Sequence, residues 1–122
     1  MGIFRIINLP IYNSQVMVSL GQTDKQFARS AAKYLPERDD KLFNFDSDNR
    51  DRGRCIRYGN NSVLRLNCLP DTNKEFGSLQ HEIFHITTFV MEAKGLTFSF
   101  DSDEVYAYLI GYLTEKIYNL IT

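Results

Sequence analysis

The sequence predicts an α+β fold: a small, mainly antiparallel sheet from two hairpins, packed with three helices. Three observations carry this. Two pairs of β-rich runs are each separated by a turn-forming stretch. Three segments place apolar residues at helical spacing, each opened by a residue suited to a helix cap. The length, 122 residues, suits one domain over residues 1–122 with a modest core.

The first pair lies between Ile3 and Leu20. Phe4 to Leu9 is β-rich, Pro10 interrupts it, Tyr12 to Gln15 is turn-like, and Gln15 to Leu20 resumes with alternation. Thr23 or Asp24 can cap a helix whose apolar positions are Phe27, Ala28, Ala31, Ala32 and Leu35, and Pro36 stops it. Residues 37–54 change texture, with charges of both signs and only Leu42, Phe43 and Phe45 as anchors. Asp46 and Asp48 have the spacing of a calcium loop, but Arg50 takes the next ligand position and the turn glycine is missing. A mobile, solvated connection is the expectation there.

The second pair, Cys55 to Tyr58 and Val63 to Leu69, flanks Gly59-Asn60-Asn61-Ser62, a turn that tolerates positive φ. Arg50, Arg52, Arg54, Arg57 and Arg65 cluster here with Asp46, Asp48 and Asp51 nearby, which reads as a solvated mixed-charge face. Thr72 and Glu75 have capping-box spacing and open a long helix to about Lys94, with Gly95 as its C-terminal cap. Its apolar positions spread widely around the helix, as expected of a central element. Leu96 to Phe100 is short, extended and apolar, and a final helix runs from Glu104 to about Leu120.

Composition narrows the function. Hydrophobic residues make up 43% and charged residues 24%, and the net charge of −1 offers no footprint for nucleic acid or an anionic membrane. No apolar run approaches the roughly 20 residues that cross a bilayer. No basic n-region or cleavage site opens the chain, so the cytoplasm is the expected compartment. Cys55 and Cys68 fit it as reduced residues.

The chemistry concentrates in the long helix, at His81-Glu82-Ile83-Phe84-His85. Positions i and i+4 share one helix face, so both imidazoles can reach one metal ion, with Glu82 beside it to act on a bound water. The chain has only two histidines, and both are in this motif. Alone, each could be an ordinary hydrogen-bonded imidazole, and Glu82 a solvated carboxylate.

A catalytic zinc site wants a third protein ligand. From His85 to Gly95 a helix climbs about 15 Å, and an extended segment 96–100 can return about 17 Å. That reach makes Glu104 the leading candidate, with Asp103 and Asp101 as competitors. Asp101 and Glu104 also have the spacing of a capping box, which needs no metal. Ala107, Tyr108 and Gly111 share the face of Glu104, and two small residues there suggest close packing on the metal helix.

H-E-x-x-H followed after 18 residues by a Glu that opens a helix resembles the gluzincin group of zinc metallopeptidases. Glu104-x-x-Ala107 is similar to the small metallopeptidase domains of the ImmA/IrrE type. The likeness covers about residues 79–115. It implies His81, His85 and Glu104 as Zn²⁺ ligands, Glu82 as general base, a peptide or protein substrate, and a phage-like origin. It also implies a preceding strand, here Val63 to Leu69, along which an extended peptide pairs. The chain departs from the group in two ways. Tyr108 stands where an Asp commonly orients a histidine, and no third histidine exists to stabilise an oxyanion, a task that would fall to Tyr108 or Tyr112. The expected activity is peptide hydrolysis by a zinc-bound water activated by Glu82. The competing reading is a non-catalytic or inactive zincin-like domain that binds another protein. Neither nucleic acid nor membrane is an expected partner.

Overall fold

A computed structural model describes residues 2–35 and 52–122. Among these, four strands and three α-helices form an α+β fold. Strands β1 (Ile3–Leu9) and β2 (Ser14–Leu20) pair antiparallel, with Ile3 opposite Leu20 and Leu9 opposite Ser14. Pro10, which cannot extend the ladder, starts a 3-10 turn over Pro10–Tyr12. Asn13 closes the turn in the left-handed region at φ 49°, a conformation asparagine tolerates. Strands β3 (Gly53–Tyr58) and β4 (Asn61–Leu66) form the second hairpin, with Gly59 at φ 56° in its two-residue turn.

The two hairpins join through their second strands. β2 and β4 run parallel, with Met17 opposite Val63 and Leu20 opposite Leu66, so the order is β1-β2-β4-β3. Alternation then sorts the side chains onto two faces. Val16, Val18, Leu20, Leu64 and Leu66 point to one face, where they form the main core. Met17 and Val63 point to the other and pack with Phe27 and Ala31 of helix α1 (Asp24–Ala31).

The main core lies under helices α2 (Asn73–Ala93) and α3 (Asp103–Ile121). Both reciprocal bonds of the Thr72–Glu75 capping box are made at the start of α2. At its end Gly95 takes φ 80°, and the N–H of Leu96 bonds to the carbonyl of Met91 at 3.0 Å. Leu79, Ile83, Ile86 and Val90 of α2 are buried among Leu109, Leu113 and Ile117 of α3 and the sheet. Truncating Ile83 to alanine there costs about 2–5 kcal/mol.

Several expectations are corrected. β3 begins at Gly53, so the end of the expected connection belongs to the sheet; residues 37–51, with the calcium-loop candidates, lie outside the described residues. Arg65 is not on a solvated face. It is 1% exposed on the α1 side, donates to Asp24 at 2.7 Å and to the carbonyl of Gln22 at 3.0 Å, and stacks over the Phe27 ring. Residues 96–100 form no strand. Asp101 does not cap α3; Ser102 holds the N-cap position, and its hydroxyl donates to the carbonyl of Thr97 instead.

Nor does the small-residue face of α3 pack on α2. Tyr106, Leu109, Leu113 and Ile117 are the buried positions of α3, and Ala107 and Gly111 lie on its exposed side. A Cβ added at Gly111 would meet nothing within 4 Å. Gly111→Ala is therefore expected to raise stability by about 1 kcal/mol through helix propensity alone, measurable by urea denaturation. A loss of stability would show that Gly111 makes a close helix contact after all.

Candidate metal centre

The rotation of α2 on the sheet places the three motif residues. Ile83 and Ile86 are driven into the core, which turns Glu82 toward β3 and leaves His81 and His85 at the surface beside it. A cavity of about 300 Å³ is lined there by Gly53, Arg54, Cys55, His81, Glu82, His85 and Phe89. β4 is not the strand beside this cleft with a free edge, as the resemblance implied. It is paired on both sides, and β3 is the outer strand among the described residues.

His81 and His85 converge as the i, i+4 spacing predicts. Their Nε2 atoms are 3.1 Å apart and their rings stand at 80°. The two ring nitrogens are within hydrogen-bond distance, the tautomers setting which one donates. Two imidazole nitrogens on one tetrahedral zinc would stand about 3.3 Å apart, given Zn–N of about 2.0–2.1 Å. The pair therefore fits two positions of one divalent ion. Among the described residues no group of three His, Cys, Asp or Glu side chains could hold a metal.

Glu104 is not brought to the pair, and neither are Asp101 and Asp103. The reach of residues 96–100 was sufficient, but that segment folds on itself instead of extending. Ser102 bonds to Thr97, and the Tyr106 hydroxyl donates to the carbonyl of Leu96 at 3.0 Å. These bonds start α3 beside the C-terminal end of α2. The two helices then run antiparallel, with Thr114 donating to Gln80 at 3.2 Å and Phe76 against Tyr118. The level of His85 is thus met by the middle of α3, not its start. Gln80 and His85 also lie roughly 140° apart around α2 at 3.6 residues per turn, so α3 and the histidines occupy different sides.

Tyr108 is likewise remote. It is 74% exposed, and with Tyr112 it lines a separate apolar cavity with Leu9, Pro10, Ile11, Tyr12 and Leu109. Two residues along a helix turn a side chain about 200°, so burial of Tyr106 forces Tyr108 outward.

Glu82 is 7% exposed and reaches the cavity from its inner wall. The Cys55 thiol donates to its Oε1 at 3.1 Å and lies 3.4 Å from its backbone carbonyl. Burial, reinforced by the Glu82 charge and this hydrogen bond, pushes the Cys55 thiol far above the usual thiol range. Cys55 and Cys68 form no disulfide, and Cys55 sits opposite Leu64 in the ladder. The sequence reading did not single out Cys55 or Gly53 for the site. Its available signal was a glycine two residues before a cysteine in a β-rich run, which identifies nothing without the helix above it.

Two outcomes follow for Cys55. Folded protein at pH 8 should react with thiol reagents far more slowly than the unfolded chain, at a rate that rises with urea concentration. The folded state also keeps a proton that an unfolded chain releases above about pH 8.5. It then binds more protons than the unfolded state, so stability falls as pH rises past that value. Cys55→Ala should flatten this part of the stability profile, measured by denaturation at a series of pH values. Compared with protein-family models, with curated proteins and with solved structures, the chain gives no match.

Proposed function

We propose that the chain is a zinc-dependent metallopeptidase in which His81 and His85 bind the ion and Glu82 is the general base. The observation that carries this reading is the convergence of two imidazole nitrogens to 3.1 Å in a cleft that a buried carboxylate also lines. The described residues supply two protein ligands and no third. When bound, zinc polarises a peptide carbonyl and acidifies water.

The chain's own residues account for the remaining work. Glu82 accepts a proton from the attacking water as the new C–O bond forms. It returns that proton to the departing amine as the C–N bond breaks. Its inner position, bonded to Cys55, keeps one carboxylate orientation through both transfers. β3, as the outer strand among the described residues, offers backbone donors and acceptors to an extended peptide beside the cleft. No helix among the described residues is long and apolar enough to cross a membrane.

A second reading is a non-catalytic domain that binds another protein. It is favoured by an exposed apolar group at the C-terminal end of α2, where Phe84 meets Phe98 and Phe100 is 97% exposed. Such clusters mark interaction surfaces more often than bare solvent faces.

Purified wild type is expected to bind stoichiometric zinc by metal analysis and to cleave peptides. His81→Ala or His85→Ala should abolish binding. Glu82→Gln should keep the zinc and lose at least about 100-fold in kcat, the contribution typical of a general base. Glu104→Ala should leave zinc affinity unchanged; a large loss would restore it as a ligand. Zinc bound by wild type with no hydrolysis on a peptide library would favour the interaction domain, and wild type without zinc would end the metallopeptidase reading.

A further inference from the structure

The Glu82 carboxylate meets β3 at both oxygens, one through a hydrogen bond and the other through close approach to a glycine. Cys55 donates its S–H to Oε1 at 3.1 Å. Oε2 lies over the backbone of Gly53. A Cβ at position 53 would stand 2.5 Å from Cγ, 2.7 Å from Cδ and 2.6 Å from Oε2 of Glu82. No side chain fits there unless the carboxylate moves. Gly53 is not among the positive-φ glycines, so its backbone does not demand glycine. Its absent side chain serves close approach, the other reason for a glycine within a strand. Residues 53 and 55 are two apart and so face the same side of the sheet, opposite Leu66 and Leu64. One strand thereby grips one carboxylate twice.

We infer that Gly53 and Cys55 are positioning residues for Glu82: the thiol pins Oε1, and the space left by Gly53 seats Oε2 as the oxygen that exchanges the proton. The inference rests on Glu82 as general base. In this arrangement Oε1 keeps its hydrogen bond throughout. Oε2 takes the proton from water as the C–O bond forms and delivers it to the amine nitrogen as the C–N bond breaks, so Glu82 ends the cycle unchanged. Neither residue touches His81 or His85 through a hydrogen bond, so the grip acts on the base and not on the metal ligands.

The test combines kinetics with the infrared S–H stretch of metal-free protein, where the Cys55 band is identified by its loss in Cys55→Ser. In wild type that band should lie at the lowered frequency of a thiol bonded to a carboxylate. It should rise in Glu82→Ala and in Gly53→Ala. Gly53→Ala should lower kcat by about 100-fold, the scale of an ångström-sized misplacement, with KM and zinc content unchanged. Cys55→Ala should lower kcat about tenfold, the scale of one hydrogen bond, and Cys55→Ser, which keeps a donor, should recover most of it. If Gly53→Ala does not fold, the Cys55→Ala and Cys55→Ser pair decides. An unshifted thiol band in wild type overturns the inference, as does a hydrolysing enzyme whose kcat ignores both cradle variants. A shifted, Glu82-dependent band in a wild type that binds zinc but hydrolyses nothing instead removes the general-base reading, and the proton role of Oε2 falls with it.

Discussion

The face of α2 that is buried on the sheet governs where every chemical group of this protein ends up. Leu79, Ile83, Ile86 and Val90 enter the core with Val18, Leu64 and Leu66, and a helix anchored by four such residues has no freedom to rotate. Each of these side chains is worth about 1.5–3 kcal/mol when fully removed from water. Any other rotation would expose some of them and bury an imidazole in their place. With the helix angle set, Glu82 must face the outer strand β3, and the two histidines must flank the same cleft.

The sheet topology supplies the second half of the site. Parallel pairing of β2 with β4 puts both strands in the interior and sends β3 to the outside among the described residues. The first hairpin therefore never approaches the cleft. It extends the main core through Ile7, Leu9, Val16, Val18 and Leu20, and its turn lies beside α3. The reverse face holds a separate, smaller core closed by α1, with Arg65 buried over Phe27 and paired to Asp24. That pairing offsets the burial of the guanidinium, and it stands on the opposite side of the sheet from the histidines.

The division of labour within the motif is unequal. His81 and His85 stand at the surface, where an ion can arrive without disturbing the core. Glu82 is enclosed, and its carboxylate meets the backbone of Gly53 and the protonated thiol of Cys55. A carboxylate held this way has one orientation rather than many. Among the described residues the site is accordingly a joint of α2 and the outer strand β3, and α3 takes no part in it.

Much of the fold was legible in the chain. Both hairpins, all three helices and the Thr72–Glu75 cap depend on local spacing and turn chemistry, and these are properties of neighbouring residues. The convergence of His81 and His85 was legible for the same reason, since i and i+4 meet on any helix. What was illegible depended on contacts between distant segments. The mixed-charge texture around Arg65 suggested solvent, and only its packing under α1 with Asp24 revealed burial.

Glu104 shows the limit most clearly. Chain length allowed the last helix to start beside His85, but length sets only a maximum reach. The bonds of Ser102 to Thr97 and of Tyr106 to Leu96 decided where it does start. The sequence by itself determined that two imidazoles and a carboxylate would share one helix and that two hairpins would pack beneath it. Only the tertiary structure decided that this carboxylate would be gripped by Gly53 and Cys55. A steric gap and a thiol acquire meaning from what is packed against them, and packing between segments is not written in local spacing.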